Sequence, residues 1–515
     1  MSFSSWICVP ITETACEPFL GAITEAARGA DVIELRLDFL PARELGRLLE
    51  ALRERRVGEG KRLLFTFRPV EQGGRRELTL GERQAFWRGL SAEVVAQIDL
   101  ADFEMDLAES FAAEESPIPW ERVICSWHNF DETPGDLIER YDRMARTPAA
   151  VVKIATQARS IGDCLRLFAL IDHGRGAKPV IALGMGMAGL TTRLLALSRG
   201  ALLTFGALRR GAESAGGQPT VAELNDLYRV RELTRETEIL GIIGNPVGHS
   251  RSPLMHNAAL RALGRDGVYL PFEVEQVDDF VRDFVRPATR QLDWRLRGLS
   301  VTIPHKRAIL SHLDRIDETA RRIGAVNTLV VEGEELHGYN TDVTGAMQPL
   351  DRRMEVRGAR VAVIGAGGSA RAVCFGASER KADVTVYARD PEKARLLAAE
   401  FGAKAASIDA FQGEADILIN CTPIGMHGHS EGQSPIRADA LQGVGLVYDL
   451  IYTPEETALL RAARAAGRPT LGGLEMLLAQ AGEQFRLWTG LSAPLDVMGA
   501  SIFQREHHGQ PEAQQ

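Results

Sequence analysis

The sequence predicts an α/β protein with three parts: an N-terminal (β/α)8 barrel, a second α/β region, and a glycine-loop nucleotide fold. Three observations carry this. The first ~210 residues hold eight apolar, β-rich runs, each followed by helix-like sequence. A new series of short strands begins at "ILGIIG" (239–244). Near residue 360 the chain reads "ARVAVIGAGGSARAVCFGASERKADVTVYARD", a strand, a glycine-rich turn, a helix and a strand.

The eight runs are "WICVPI" (6–11), "DVIELRLDF" (31–39), "RLLFTFR" (62–68), "AQIDLADFE" (96–104), "RVICSWH" (122–128), "AVVKIA" (150–155), "PVIALGMG" (179–186) and "ALLTFGA" (201–207). Near-continuous apolar runs suit parallel strands covered on both faces. Eight βα units in this length fit a TIM barrel. An open doubly wound sheet has the same strand count and stays as an alternative. The polar stretch "VAELNDLYRVRELTRETE" (221–238) reads as a helical connector. The short strands "VYLPFEV", "GLSVTI", "NTLVV" and "LHGYN" follow.

The bulk properties exclude several classes. The 515 residues imply two to four domains, with 45% apolar and 25% charged residues. A net charge of −9 with no basic patch argues against a nucleic-acid partner. No apolar run approaches the ~20 residues of a membrane span, the N-terminus reads as a first strand, and the scattered cysteines fit free thiols in a reducing cytoplasm, the expected location. Six scattered cysteines (8, 16, 125, 164, 374, 421) form no CxxC pair, so no metal is expected. The tail 506–515 reads as flexible. Oligomeric state is not legible.

Lys153 interrupts the apolar run "AVVKIA". Lysine is seldom buried. A salt bridge satisfies such a residue, or its head snorkels to water. Burial and neighbouring arginines also lower a lysine's pKa, which frees the amine to attack a carbonyl. The other strand ends decide between these readings. They carry Glu34 and Arg36, Arg68, His128, Arg193, and then Ser214 and Gln218. In a barrel these ends share one mouth. A lysine, a histidine and several arginines there describe Schiff-base elimination of water from a hydroxylated keto acid.

The motifs "IELRLD", "FTFRP…GG", "CSWHNF", "VVKIA", "GMAGLTTR" and "SAGGQ" resemble, in order, those of type I 3-dehydroquinate dehydratase. The resemblance covers residues ~5–220. It implies Lys153 as the Schiff-base residue and His128 as the proton carrier. Glu34, Arg36, Arg68, Arg193, Ser214 and Gln218 fall on its substrate-binding positions. One residue departs: Gln72 stands where the family often has a glutamate. It can hydrogen-bond but carries no charge; because the Lys153 and His128 pair is intact, activity is expected to survive, at most reduced.

In the second half, "GAGGSA" presents Gly365, Ala366, Gly367, Gly368, Ser369 and Ala370 between a strand and a helix, the setting of a pyrophosphate site. Arg389 and Lys393, after the next strand, suit a 2′-phosphate and favour NADP(H); Asp390 leaves NAD open. Ser250 and Ser252 sit two apart at a helix start, where a carboxylate could bind or the helix could simply be capped. Lys306 and Asp342 form a candidate proton-donor pair.

These segments, with "VTIPHK", "NTD", "NCTPIGM" and "GGLEMLLAQA", resemble shikimate dehydrogenase from ~240 to ~505. That resemblance implies a two-lobed unit and makes Lys306 and Asp342 the catalytic pair. It puts Ser250, Ser252, Thr302, Asn327, Tyr452 and Gln480 on the substrate, and Asn420, Thr422 and Gly473 on the nicotinamide side. The implied domains are the barrel 1–222, a helical connector 223–238, a substrate lobe 239–343 with 471–505, and a Rossmann lobe 344–470. The implied function is a two-step enzyme of the shikimate pathway with small-molecule substrates only. The alternatives are an aldolase-like barrel, a quinate-preferring second half, and a ligand-sensing barrel impaired by Gln72.

Overall fold

The computed structural model describes residues 6–503 apart from Arg55, Glu59 and His429. The predicted tail at 506–515 lies outside the described residues. The chain forms two compact units. One holds the barrel and the first strands that follow it; the other holds most of the remaining chain.

The barrel strands are β1 (Trp6–Ile11), β2 (Val32–Arg36), β3 (Arg62–Thr66), β4 (Leu100–Glu104), β5 (Val123–Asn129), β6 (Val151–Gln157), β7 (Val180–Met185) and β8 (Leu203–Phe205). They form one parallel sheet in the order β7-β6-β5-β4-β3-β2-β1-β8. The Leu202 N–H donates to the Val180 carbonyl at 2.9 Å, which brings the start of β8 to β7 and closes the ring. The open doubly wound alternative is thereby excluded. β4 starts at Leu100 and not at residue 96, because Ala92–Val95 is a helical turn.

Inside the ring, Cys8, Val32, Leu64, Leu100, Ile124, Val151, Ile181 and Leu203 pack as one cluster, one residue from each strand. Each buried aliphatic side chain there contributes roughly 1.5–3 kcal/mol. Side chains alternate across a strand, so residues two and four further on face the same interior. That rule places Glu34, Thr66, Asp102, Ser126 and Lys153 above the apolar layer, and Arg36, Arg68, Glu104 and His128 above those. The outer helices show the matching period. In Ala42–Glu54, Leu45, Leu48 and Leu52 are buried at spacings of three and four.

The predicted helical connector is helical only briefly, over 221–227, the last part being the π-helical turn Glu223–Leu227. Thr220 and Glu223 cap its start reciprocally. Arg229 then takes a left-handed φ of 50°, which a continuing helix cannot accommodate. The next strand opens at Glu238.

The same unit contains the parallel pair β9 (Glu238–Gly244) and β10 (Gly267–Glu273). After β11 (Arg295–Val301), the strands are β12 (Arg315–Ile316), β13 (Thr328–Glu332) and β14 (Glu335–Tyr339). β13 pairs antiparallel with β11 and β14, and β12 pairs parallel with β14. The last sheet contains β15 (Arg360–Ile364), β16 (Asp383–Ala388), β17 (Lys404–Ser407), β18 (Ile417–Asn420), β19 (Leu446–Asp449) and β20 (Thr470–Leu471). Its order is β17-β16-β15-β18-β19-β20, all parallel. This is the doubly wound Rossmann order, and its switch point lies between β15 and β18.

Candidate active sites

At the barrel mouth, buried charged side chains form a continuous chain. Lys153 Nζ lies 2.9 Å from Asp102 Oδ2 and 3.9 Å from Glu34 Oε1. Arg68 Nη2 reaches the same Asp102 oxygen at 2.6 Å, and its Nη1 meets His128 Nε2 at 2.9 Å. Arg68 Nε lies 3.5 Å from Glu104 Oε1. Ser126 Oγ donates to Asp102 Oδ1 at 2.5 Å, and Thr66 Oγ1 donates to Glu34 at 2.8 Å. Lys153 is 4% exposed and His128 8%. The Phe205 ring packs 4.5 Å from Lys153 Nζ.

The sequence predicts an amine surrounded by arginines. The structure corrects that picture: the nearest charge is the Asp102 carboxylate. Burial opposes ionisation of Asp102. Arg68, Lys153 and His128 outweigh burial and hold its carboxyl well below the usual range. His128 responds in the other direction. Burial first, then Arg68 and Lys153, hold its pKa well below the ordinary value, with Asp102 opposing. The imidazole is therefore neutral, and its Nε2 accepts from the always-charged Arg68.

Arg193, on the helix Leu190–Leu195, is 3% exposed. Among the described residues, no acceptor meets its guanidinium, and burial pushes its pKa down to about 10. A buried cation without a partner favours an anionic ligand. Arg36 differs: its fork is closed on Asp38 at 3.0 and 2.8 Å, and it also donates to the Gly73 carbonyl. It therefore tethers the loop that carries Gln72. Gln72 Oε1 accepts from the His128 backbone N–H at 2.9 Å, so it fixes the end of β5 without touching the ring nitrogens. Ser214 donates to Gln218 through its backbone and hydroxyl, leaving the buried Gln218 amide nitrogen unpartnered. Asp102 and Glu104 were not singled out by sequence reasoning. Their signal is the acid–apolar–acid alternation of "DFE" in the fourth run.

In the other unit, Lys306 Nζ meets Asp342 Oδ2 at 2.5 Å. Asn327 Nδ2 donates to the other Asp342 oxygen at 2.8 Å and to Thr341, which fixes the carboxylate. Gln484 supports the Asn327 backbone from behind. The Lys306 stem passes the start of the glycine-loop helix, since a β-carbon built on Gly368 would lie 4.0 Å from its Cδ. The Gln480 stem packs on Gly345, in the helix that Asp342 opens. Thr302 accepts the His305 N–H at 2.8 Å in the turn leading to Lys306. Ser252 is the buried first residue of helix Ser252–Ala262, and Tyr452, beside the Arg251 charge, is half-buried. Ser250, by contrast, belongs to the first unit and lies in a turn, its N–H on the Val247 carbonyl.

A cleft of about 990 Å³ opens at the sheet's switch point. Its lining includes Gly365, Ala366, Gly367, Arg389, Lys393 and Thr422. Gly365 has φ +110°, and a β-carbon there would strike Thr422 at 2.9 Å, so glycine is required. Gly367 faces open space, and Gly368, Ser369 and Ala370 form the first turn of helix Gly368–Glu379. A dinucleotide's pyrophosphate fits this bare loop and helix start. Asp390, which left the cofactor open, caps the next helix with its Oδ1 through the N–H groups of Glu392 and Lys393, and its Oδ2 lies 3.6 Å from Lys393 Nζ. Arg389 and Lys393 remain exposed on the cleft. Asn420 is fully buried and acts at one remove, accepting from both the Thr422 N–H and its hydroxyl. Gly473 sits against the Leu450 carbonyl, where no β-carbon fits.

Family models match the chain in the same places. Type I 3-dehydroquinase matches residues 7–235, and the shikimate dehydrogenase substrate binding domain matches 242–329. The shikimate 5′-dehydrogenase C-terminal domain matches 473–501, and an NADP oxidoreductase, coenzyme F420-dependent, matches 360–446. The chloroplastic bifunctional 3-dehydroquinate dehydratase/shikimate dehydrogenase of Arabidopsis thaliana is 37% identical, over 96% of this chain and 83% of that protein. A shikimate dehydrogenase (NADP(+)) of Methanothermobacter thermautotrophicus is 43% identical over 52% of this chain and 96% of its own. The crystal structure of Thermus thermophilus shikimate 5-dehydrogenase with NADP(H) and shikimate has a TM-score of 0.48 and 36% identity, over 52% of this chain and 99% of that one. Among the described residues, no helix is long and apolar enough to cross a membrane, and no group of His, Cys, Asp or Glu is placed to hold a metal ion.

Proposed function

The chain belongs to the family of bifunctional 3-dehydroquinate dehydratase/shikimate dehydrogenases, and we propose that its barrel dehydrates 3-dehydroquinate and its second half reduces the resulting 3-dehydroshikimate to shikimate with NADPH. The observation that carries the dehydratase reading is the buried Lys153 amine, joined through Asp102 and Arg68 to a neutral imidazole.

Lys153 condenses with the substrate ketone, and the iminium acidifies the neighbouring C–H. Neutral His128 takes that proton and returns it to the departing hydroxyl. Arg193 receives the substrate carboxylate as the partner it lacks, and Ser214 and Gln218 are assigned to the same substrate. Glu34 and Arg68 bound the floor, and Arg36 holds the Gly73 loop.

In the second half, Lys306 protonates the carbonyl oxygen, and Asp342 keeps the ammonium aimed. Asn327 holds Asp342 in place. Ser250, Ser252, Thr302, Tyr452 and Gln480 receive the substrate's carboxylate and hydroxyls. The loop Gly365–Ala370 holds the pyrophosphate, Arg389 and Lys393 the 2′-phosphate, and Thr422, positioned by Asn420, the nicotinamide side near Gly473. When bound, NADPH supplies the hydride to the ketone carbon. The cofactor assignment rests on the glycine loop, the two exposed cations and the capping role of Asp390.

Six cysteines without a disulfide support a reducing, cytoplasmic setting. The four segments 1–222, 223–238, 239–343 with 471–505, and 344–470 are the proposed functional division.

Borohydride reduction in the presence of 3-dehydroquinate, followed by peptide mass spectrometry, tests the first half. The expected result is a covalent adduct on Lys153. An unmodified Lys153 under turnover conditions rejects the dehydratase reading. NADPH oxidation with 3-dehydroshikimate, run beside quinate and NADP⁺, tests the second half and its substrate preference.

A further inference from the structure

We propose that Asp102 is a catalytic residue of the barrel, the fixed counter-ion of the iminium formed at Lys153. The inference rests on the dehydratase reading above and adds a group to it.

Asp102 is fully buried. Its Oδ2 lies 2.9 Å from the reacting nitrogen, and its other oxygen is anchored by Ser126 at 2.5 Å. The rival carboxylate, Glu34, is farther away at 3.9 Å and is engaged by Thr66. The groups around Asp102 come from every neighbouring strand: Cys8 from β1, Glu34 from β2, Arg68 after β3, Ser126 and His128 from β5, and Lys153 from β6. Glu104, on its own strand, acts through Arg68.

Condensation turns an ammonium and a ketone into an iminium and water. The C=O bond is lost, a C=N bond forms, and two N–H protons leave with the oxygen. Nothing is oxidised or reduced. The nitrogen carries one positive charge before and after, so a carboxylate that keeps its own charge neutralises both states and takes no proton. Asp102 meets this requirement, because its cationic neighbours hold it ionised against burial. Without it, the iminium would share a buried site with Arg68, and its nearest anion would be Glu34 at 3.9 Å, already engaged by Thr66.

The test compares the borohydride trapping rate of wild type and Asp102→Asn across pH. The trapping rate of the variant is expected to fall about a hundredfold, with its pH midpoint moved down by about one unit or more, because an uncompensated ammonium loses its proton more readily. A merely structural role lowers the amplitude and leaves the midpoint in place. Equal rates and midpoints in the two proteins overturn the inference while the Lys153 adduct still stands. Absence of any wild-type adduct overturns the dehydratase reading itself. Should Asp102→Asn fail to fold, a crystal structure of the wild-type adduct decides. Asp102 within hydrogen-bond reach of the iminium nitrogen supports the role, and a nitrogen moved onto Glu34 or water refutes it.

Discussion

The two sites of this chain manage a lysine in opposite ways. Lys153 is sunk in a barrel, 4% exposed, amid one arginine and three carboxylates. Lys306 is half-buried and meets one carboxylate, Asp342, which a single asparagine orients. A covalent nucleophile needs its charge controlled through several states, so the barrel supplies a network. A proton donor needs only to be charged, aimed and placed near the cofactor, so a pair suffices. Removing water raises the electrostatic stakes in the first case and leaves them modest in the second.

The sharpest way to break this comparison is to delete each lysine. Lys153→Ala is expected to lower dehydratase kcat on the order of 10⁴-fold or more, as removal of a covalent nucleophile does. Reduction of added 3-dehydroshikimate continues. Lys306→Ala is expected to lower reductase kcat about 10²- to 10⁴-fold, the range for general acid catalysis. Loss of both activities in either variant would show that the sites are not separable.

Arg193 gives the next largest effect. Arg193→Met is expected to raise the dehydratase KM about 30-fold or more, since the carboxylate loses a buried cationic partner. The same variant is expected to unfold at an equal or higher temperature, because a buried charge without a partner has been removed. A calorimetric Tm that falls by several degrees would mean that Arg193 has a structural partner.

A pH profile follows in size. His128 is held neutral well below the ordinary histidine range. Its base form therefore persists as pH drops through ~6.5, and the acid limb of dehydratase kcat/KM should begin below that value. An acid limb centred at 6.5 would contradict the neutral imidazole described here. The smallest effect concerns cofactor choice. Arg389→Ala with Lys393→Ala is expected to raise the KM for NADPH about tenfold and leave that for NADH unchanged.

How much of this was legible depended on whether a residue announces itself alone. Lys153 interrupts an apolar run, and His128 and Arg68 end theirs, so the barrel mouth is legible from strand ends. The glycine loop announced itself through its strand–turn–helix setting. Asp102 does not, although "AQIDLADFE" reads as a strand. An acid in a strand has many possible partners, and only the register of β3 to β6 brings Lys153, Arg68 and Ser126 onto one carboxylate. Asp390 obscured the cofactor because its role is local: it caps a helix, which the sequence shows only once the helix start is known. The connector failed for the reverse reason. Its polar composition suits a helix, but Arg229 takes a left-handed conformation and ends one after Leu227.

One measurement reaches the central claim, that a single chain carries both chemistries in sequence. Purified protein is given 3-dehydroquinate and NADPH, and nicotinamide absorbance is followed. Absorbance should fall after a brief lag, stay flat in Lys153→Ala, and fall again in that variant once 3-dehydroshikimate is added. A flat trace from wild type, with NADPH oxidation restored only by 3-dehydroshikimate, would show that the barrel does not carry out the first step.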